Sequence, residues 1–273
     1  LRVRYRKHDR ISEKSERSYR SNKKFSTGEL RKEGNPGITN SMIPVVVALK
    51  SEIRSDDKIM EEFDRSGKFC LVVAGMGKRK VKEKVEEMER RFTIEGFISA
   101  GFAGGLVPDL RAGQLVLVKE IGNTSNNNRV FTADTDWREK TGEILGMNLR
   151  SDFLITANFQ AGTRKEKEEL REVYGADLVD MESYWIAERA DDLGVPFLGL
   201  RVVYDEFGRS LPPFSQYEEG QIRVDWPELA KWITKNPARI FDLLELARLR
   251  SKCANVLTRS VSQLVRAEGV EFN

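Results

Sequence analysis

Histidine is all but missing: His8 is the only one in 273 residues, and it stands in a charged N-terminal tail. A single imidazole excludes both a His-based catalytic triad and a His-ligated metal site. Acid–base chemistry in this chain therefore has to come from carboxylates. Cysteine is nearly as scarce, with Cys70 in an apolar run and Cys253 in a late helical one. Two thiols without CxxC spacing make no disulfide framework, and both read as core fillers. No apolar run approaches the roughly 20 residues needed to cross a bilayer. The opening "LRVRYRKHDRISEKSERSYR" has no apolar centre of the signal-peptide kind, so the expected compartment is the cytoplasm. GxGxxG and GxxxxGK[ST] loops are also missing, which sets dehydrogenase, kinase and GTPase readings aside.

What is present divides sharply by charge. Residues 1–41 hold 12 Lys and Arg against 5 Asp and Glu, and the remainder holds 34 against 38, so a basic tail is joined to a mildly acidic body. The tail is rich in Arg, Lys, Ser and Gly without apolar periodicity, the composition of a disordered segment. Met42 directly precedes the first apolar run, "IPVVVAL". The tail is therefore expected to be upstream sequence read through from a misplaced start; an arm touching nucleic acid or anionic lipid is the alternative.

From Met42 the pattern alternates. The runs 43–49, 68–75, 96–101, 114–121, 152–157, 176–181 and 196–203 are short and rich in Val, Ile and Leu, as buried strands are. Charged runs of helical period, such as 78–92 and 164–174, lie between several of them. Strand, helix and strand in repetition predict a doubly wound, three-layer α/β domain with a mostly parallel sheet over residues 42–208. Residues 209–273 form a C-terminal extension: "SLPPFSQYEEG" as a loop, "DWPELAKWITKNP" as a short helix, and a long helix from 238 with leucines on one face and Arg and Lys on the other. That leucine stripe is expected to pack on its own domain or on a second subunit, with a membrane surface as the alternative.

Open α/β sheets bind ligands outside the carboxyl ends of their strands. The residues at those places are Glu52, the turn "GMGK" with Gly75 and Gly77, the turn "GFAGG" at 101–105, Asn158-Phe159, Met181-Glu182 and Asp205. Residues 176–203 predict a right-handed strand–helix–strand crossover, closed by Gly194, that delivers Glu182 and Asp205 side by side from parallel strands. Taken singly, Glu182 also suits a first-turn acid and Asp205 a helix cap. Three acids in equivalent places beside two glycine turns point to a site. "GMGK", with Lys78, Arg79 and Lys80 behind it, suits an anion on backbone N–H groups. "GFAGGL", with Phe102, Ala103 and Gly104, suits close backbone approach to a flat or sugar-like ligand.

The segments "ALKSEI", "AGMGK", "GFAGGLVPDLRAGQLVLV", "NFQAG", "VDMES" and "LGLRVVYDEFG" resemble, in order and spacing, the purine and uridine phosphorylase superfamily. Within it they are most similar to the methylthioadenosine/S-adenosylhomocysteine nucleosidase branch. The "LPP" segment and the last helix look more like the hopanoid-associated branch, which releases adenine from adenosylhopane. The resemblance implies a three-layer αβα fold with a mixed, mostly parallel sheet, and cleavage of the N-glycosidic bond of a small-molecule nucleoside. Asp205 would protonate the purine at N7 and Glu52 would activate water. Glu182 would hold the ribose hydroxyls with Met181 against the sugar, Phe159 would stack on the base, and the Gln160 backbone would read its edge. Phe102 stands where the family commonly has Ser or Thr, and "ALKSE" where many phosphorylases have Gly followed by Arg. Both departures favour hydrolysis, while Lys50, Arg54 and Lys78 keep phosphate open as a co-substrate. The resemblance implies no organic cofactor and no metal, a homodimer or larger homo-oligomer, no nucleic-acid partner, and membrane contact only through a lipid substrate. A nucleoside-binding protein without turnover is the alternative of another class.

Overall fold

The computed structural model describes residues 41–267 except 55, 126–128, 149, 151, 212–214, 219–220, 225 and 236–238. Contacts divide the chain into Leu1–Ile38 and Thr39–Asn273, and the architecture below is that of the second unit. The readings made for the basic tail lie outside the described residues, apart from its last residue.

The first half alternates as its sequence pattern implies. It runs β1 (Ser41–Val47), α1 (Asp57–Ser66), β2 (Phe69–Val73), α2 (Lys78–Glu89), β3 (Thr93–Ile94), β4 (Phe97–Gly105), β5 (Leu115–Val118), β6 (Glu120–Asn123) and β7 (Phe131–Thr132). It continues with α3 (Thr135–Leu145), β8 (Phe153–Thr156), α4 (Arg164–Tyr174), β9 (Leu178–Asp180), α5 (Ser183–Leu193) and β10 (Phe197–Asp205), then β11 (Ser215–Glu218), β12 (Gln221–Val224), α6 (Trp226–Lys235) and α7 (Arg239–Arg266). Local chemistry marks the helix starts. Asp56 accepts from the Ile59 N–H at 3.1 Å ahead of α1, and Asp134 from the Trp137 N–H at 2.9 Å ahead of α3. Thr163 and Glu166 close a capping box on α4.

One continuous sheet carries the domain. β2, β1, β4 and β10 lie in parallel, and β5 runs antiparallel on the far side of β10. Strand residues alternate between two apolar layers, as a sheet covered on both faces requires. Ile43, Val45 and Val47 face the layer under α1, α3 and α7, and Val46 faces the layer under α2 and α5. The result is a three-layer α/β fold.

β4 is the strand that shapes the site. One edge pairs along its length with β10, from Phe97 to Gly104. Its other edge is shared: β1 takes Ile98 and Ser99, and β9 takes Gly104 and Gly105 in antiparallel sense. β9 continues in parallel into β8 and β6. The sheet thus opens between β1 and β9, over residues 100–103 of β4.

Three expectations are corrected. The crossover of 176–203 does not place parallel neighbours: β9 and β10 pair with opposite edges of β4, β9 against it and β10 along it. The reason is that β9 belongs with β8 and β6, which run the other way. The run 114–121 is two strands, because Lys119 and Glu120 both turn their N–H groups to Asp152 O, moving the chain from β10 to a new partner, β8. The segment read as a loop contains β11, which pairs with β12 as a hairpin with Ser215 opposite Val224. β11 satisfies its backbone in that hairpin without an apolar period to announce it; Pro212 and Pro213 of the same segment lie outside the described residues.

Helix α7 is 28 residues long, so about 42 Å, and does two things along its length. Cys253, Leu257, Val261 and Leu264 recur on one face and are buried in the layer with α1 and α3. Cys253 and the half-buried Cys70 are free thiols with pKa values pushed up by burial to about 11 and about 12, as suits inert packing. No helix among the described residues is long and apolar enough to cross a membrane. Leu257→Ala should lower the unfolding free energy by about 2 to 5 kcal/mol, read from urea denaturation. Wild-type stability in that variant would mean that α7 is not part of the core.

Candidate active site

The opening in the sheet leaves backbone donors for side chains to take. Glu52 lies in the turn after β1 and is 7% exposed. Its Oε1 accepts from the Phe102 N–H at 3.1 Å, on the stretch of β4 between β1 and β9, and its Oε2 accepts from the Leu49 N–H at 2.8 Å. The approach is close: a Cβ on Gly101 would stand 3.2 Å from Glu52 Oε1. Burial raises the pKa of Glu52 against the pull of those two N–H groups and of Arg201 and Arg250.

Beneath Glu52 sits a buried ionic cluster. Arg201 of β10 donates from Nε and Nη2 to Asp180 Oδ2 at 3.0 and 2.9 Å, and from Nη1 and Nη2 to Ser99 O and Oγ at 2.8 and 2.6 Å. Ser183 Oγ at the start of α5 accepts from the same Nη2. Asp180 also accepts from Thr156 Oγ1 at 2.6 Å and from the Ser183 N–H at 3.1 Å. β4, β8, β9, β10 and α5 are thereby tied at one point.

Glu182 occupies the N-cap position of α5 without capping it. Its Oε1 accepts instead from the Gly77 N–H at 2.9 Å. The "GMGK" turn thus gives the Gly77 N–H to the Glu182 carboxyl group. Lys78 lies 4.3 Å over the Trp185 ring, and Arg54 donates to Ser251 Oγ at 3.1 Å. Glu182 has its pKa raised to about 8, first by burial and then by the charges of Asp180 and Glu52.

Asp205 ends β10 and is 5% exposed. Gly104 makes room for it, since a Cβ there would lie 3.3 Å from Asp205 Oδ1 and 3.2 Å from Val179 Cγ1. Asp205 Oδ2 forms an ion pair with Lys167 of α4, a contact without the direction of a good hydrogen bond. Burial raises the Asp205 pKa, and Lys167 pulls the other way.

Nine of the residues singled out from sequence line one cavity of about 400 Å³, namely Glu52, Phe102, Ala103, Gly104, Phe159, Gln160, Met181, Glu182 and Asp205, while Gly75, Gly77, Lys78 and Asn158 do not. Phe159 is 37% exposed, so an aromatic face is open at the rim. The Phe102 ring stacks on Tyr204 at 5.7 Å, toward the α7 layer, and only its N–H serves Glu52. The sequence offered the leucine-rich last helix as an apolar entrance or as plain packing without naming residues; those that line the cavity are Leu243, Leu246, Ala247 and Arg250 of α7, with Leu211. Their spacing of three, one and three residues marks one helical face, but not what it faces. Lys167 was missed although it precedes Leu170 by one turn on the buried stripe of α4. Among the described residues no group of three or more His, Cys, Asp and Glu is arranged to hold a metal ion.

An α/β sheet that gathers buried carboxylates around one cavity beyond its strand ends is the arrangement of a small-molecule enzyme. The profile of the phosphorylase superfamily matches residues 64–219, and the chain belongs to that family. Among solved structures, the 5′-methylthioadenosine/S-adenosylhomocysteine nucleosidase of Neisseria meningitidis, in complex with methylthio-immucillin-A, is similar at 17% identity. It covers 83% of this chain and 98% of its own, with a TM-score of 0.61. The futalosine hydrolase of Helicobacter pylori strain 26695 is 16% identical over 83% of this chain and 97% of its own, with a TM-score of 0.60. The corresponding values for the Campylobacter jejuni 5′-methylthioadenosine/S-adenosyl homocysteine nucleosidase are 16%, 83%, 97% and 0.59. At these identities the likeness is one of fold. No curated protein matches the chain.

Burial raises the pKa values of Glu52, Glu182 and Asp205 alike, so the folded protein keeps protons that the unfolded chain releases. The contribution of these three groups to the stability of the ligand-free protein should therefore be fullest below the ordinary carboxylate range and decline as pH rises from about 4.5 toward 8. Glu182→Gln should flatten that decline in a series of thermal midpoints against pH. An unchanged slope would show that Glu182 ionises as an exposed glutamate does.

Proposed function

We propose that the chain hydrolyses the N-glycosidic bond of an adenine nucleoside. The observation that carries the choice of water is a second cavity of about 10 Å³ behind the first, lined by Glu52, Glu182, Arg201 and Ser99. That is room for one water molecule among polar groups, and too little for a phosphate ion.

In this reading the nucleoside fills the larger cavity, with the purine against Phe159 and the ribose between Met181 and Glu182. The Gln160 backbone reads the base edge, and Ala103 and Gly104 let the β4 backbone approach. Asp205 gives its proton to N7 while the C1′–N9 bond breaks and its electron pair leaves with the base. Burial raises the pKa of that carboxyl, the direction that the role requires. The sugar becomes oxocarbenium-like, a charge that nearby carboxylates stabilise. Glu52 takes a proton from water as its oxygen bonds to C1′. Ribose hydroxyls donating to Glu182 favour its anionic form.

The 5′ substituent would lie toward Leu211, Leu243, Leu246 and Ala247. An apolar wall supports adenosylhopane as the leading substrate, with methylthioadenosine or S-adenosylhomocysteine next. A phosphorolytic version draws support from Arg250, which lines the same cavity and donates to Ser51 Oγ.

Incubation with adenosine-type nucleosides, with and without phosphate, should release free adenine in both cases. Adenine only with phosphate would replace hydrolysis by phosphorolysis, and none in either would leave a nucleoside-binding protein. Asp205→Asn should lower adenine release about 10²- to 10⁴-fold with an unchanged circular dichroism spectrum. Near-normal turnover would remove Asp205 from the acid role.

A further inference from the structure

Lys167 is 0% exposed, sits on α4, and does not line the cavity. Its ammonium meets three oxygens: Asp205 Oδ2, Glu206 O at 2.7 Å and Arg209 O at 3.1 Å. Two of its three N–H donors go to the carbonyls, and its charge faces the carboxylate. Two of these contacts hold the turn after β10, and the third meets the carboxylate that faces the cavity. For stability alone, an apolar side chain of similar volume commonly does as well as a buried ion pair. A lysine committed to the one acid that ends β10 calls for another reason.

We propose that Lys167 is the positioning residue of Asp205. It turns Oδ2 inward, leaves Oδ1 to meet the base, and stabilises the negative charge that Asp205 acquires when its proton passes to the leaving purine. The inference rests on the reading of Asp205 as proton donor. The proton moves from the Asp205 carboxyl to the base, the C1′–N9 electrons leave with the base, and the new carboxylate remains paired with the Lys167 ammonium. No other reactant is needed for that step.

Other titratable or charged groups also face Asp205. Arg209 stands in the following turn and is itself paired with Glu245 at 3.0 Å; Tyr204 precedes Asp205 on β10; Cys253 comes from α7. Lys167 is in direct contact with Asp205 Oδ2, whereas Arg209 acts on Asp205 as a charge at longer range.

The test compares wild type with Lys167→Gln, which removes the charge but keeps amide donors for the turn, and with Lys167→Arg, which keeps the charge. Adenine release from methylthioadenosine is followed against pH. Release of p-nitrophenol from p-nitrophenyl β-D-ribofuranoside is measured beside it, because that leaving group departs without a proton. Lys167→Gln should lose about tenfold to a hundredfold in kcat for adenine release with little change in KM. Removing a positive charge raises the acid's pKa, so its alkaline limb should move up by about one pH unit or more. p-Nitrophenol release should be nearly unaffected, and Lys167→Arg should retain the wild-type limb. A parallel fall in both reactions with an unmoved limb would make Lys167 a structural clamp and overturn the proposal. So would a Lys167→Gln profile identical to wild type. If Lys167→Gln does not fold, a limb in Lys167→Arg displaced as far as loss of the charge requires would overturn it. No adenine from the wild type would overturn the hydrolase reading itself, and this one with it.

Discussion

The pairing of Arg201 with Asp180 is the interaction on which the rest of the site stands. Both side chains are almost fully enclosed, and a buried charge stripped of its partner costs about 3 to 5 kcal/mol. The cluster spends its remaining donors on Ser99 and Ser183, which fixes the spacing of β4, β9, β10 and the start of α5. Those are the elements that carry Phe102, Glu182 and Asp205. It also places a permanent positive charge where it lowers the pKa values of Glu52 and Glu182, two carboxylates that burial would otherwise push up further. A sheet that opens at β4 without this guanidinium would have acids facing acids.

The three site carboxylates differ in what opposes their burial. Glu52 is held by two backbone N–H groups, Glu182 by one N–H and against two like charges, and Asp205 by a lysine. Distinct partners set chemically similar groups in distinct environments, the condition under which one pocket can hold an acid and a base at the same pH. The glycines of the "GFAGG" segment make this possible: Gly101 and Gly104 are missing side chains where Glu52 and Asp205 need the space.

Helix α7 serves both the core and the cavity. Its second half completes the apolar layer with Leu257 and Val261, while its first half reaches over the cavity with Leu243 and Leu246. The cavity is thus bounded by the same helix that closes the core. The cavity part and the core part of the helix follow one another along it, about two turns separating Leu246 from Cys253.

By itself the sequence determined the layered α/β class, the after-strand positions of Glu52, Glu182 and Asp205, and the glycine turns, because period, turn chemistry and strand ends are local properties of a chain. It did not decide how the strands pair. β9 and β10 are equally apolar and joined by a well-marked helix, yet they lie on opposite edges of β4, since pairing depends on which backbone edge is free and not on local pattern. Nor did it distinguish Lys167 from the other charged residues of "RKEKEELREVY"; only the arrival of Asp205 and two carbonyls from residues 205–209 makes that lysine a buried one. Arg250 and the leucines of α7 likewise carried a visible stripe whose target was invisible, because a helix face states that it is covered and the tertiary fold alone states by what.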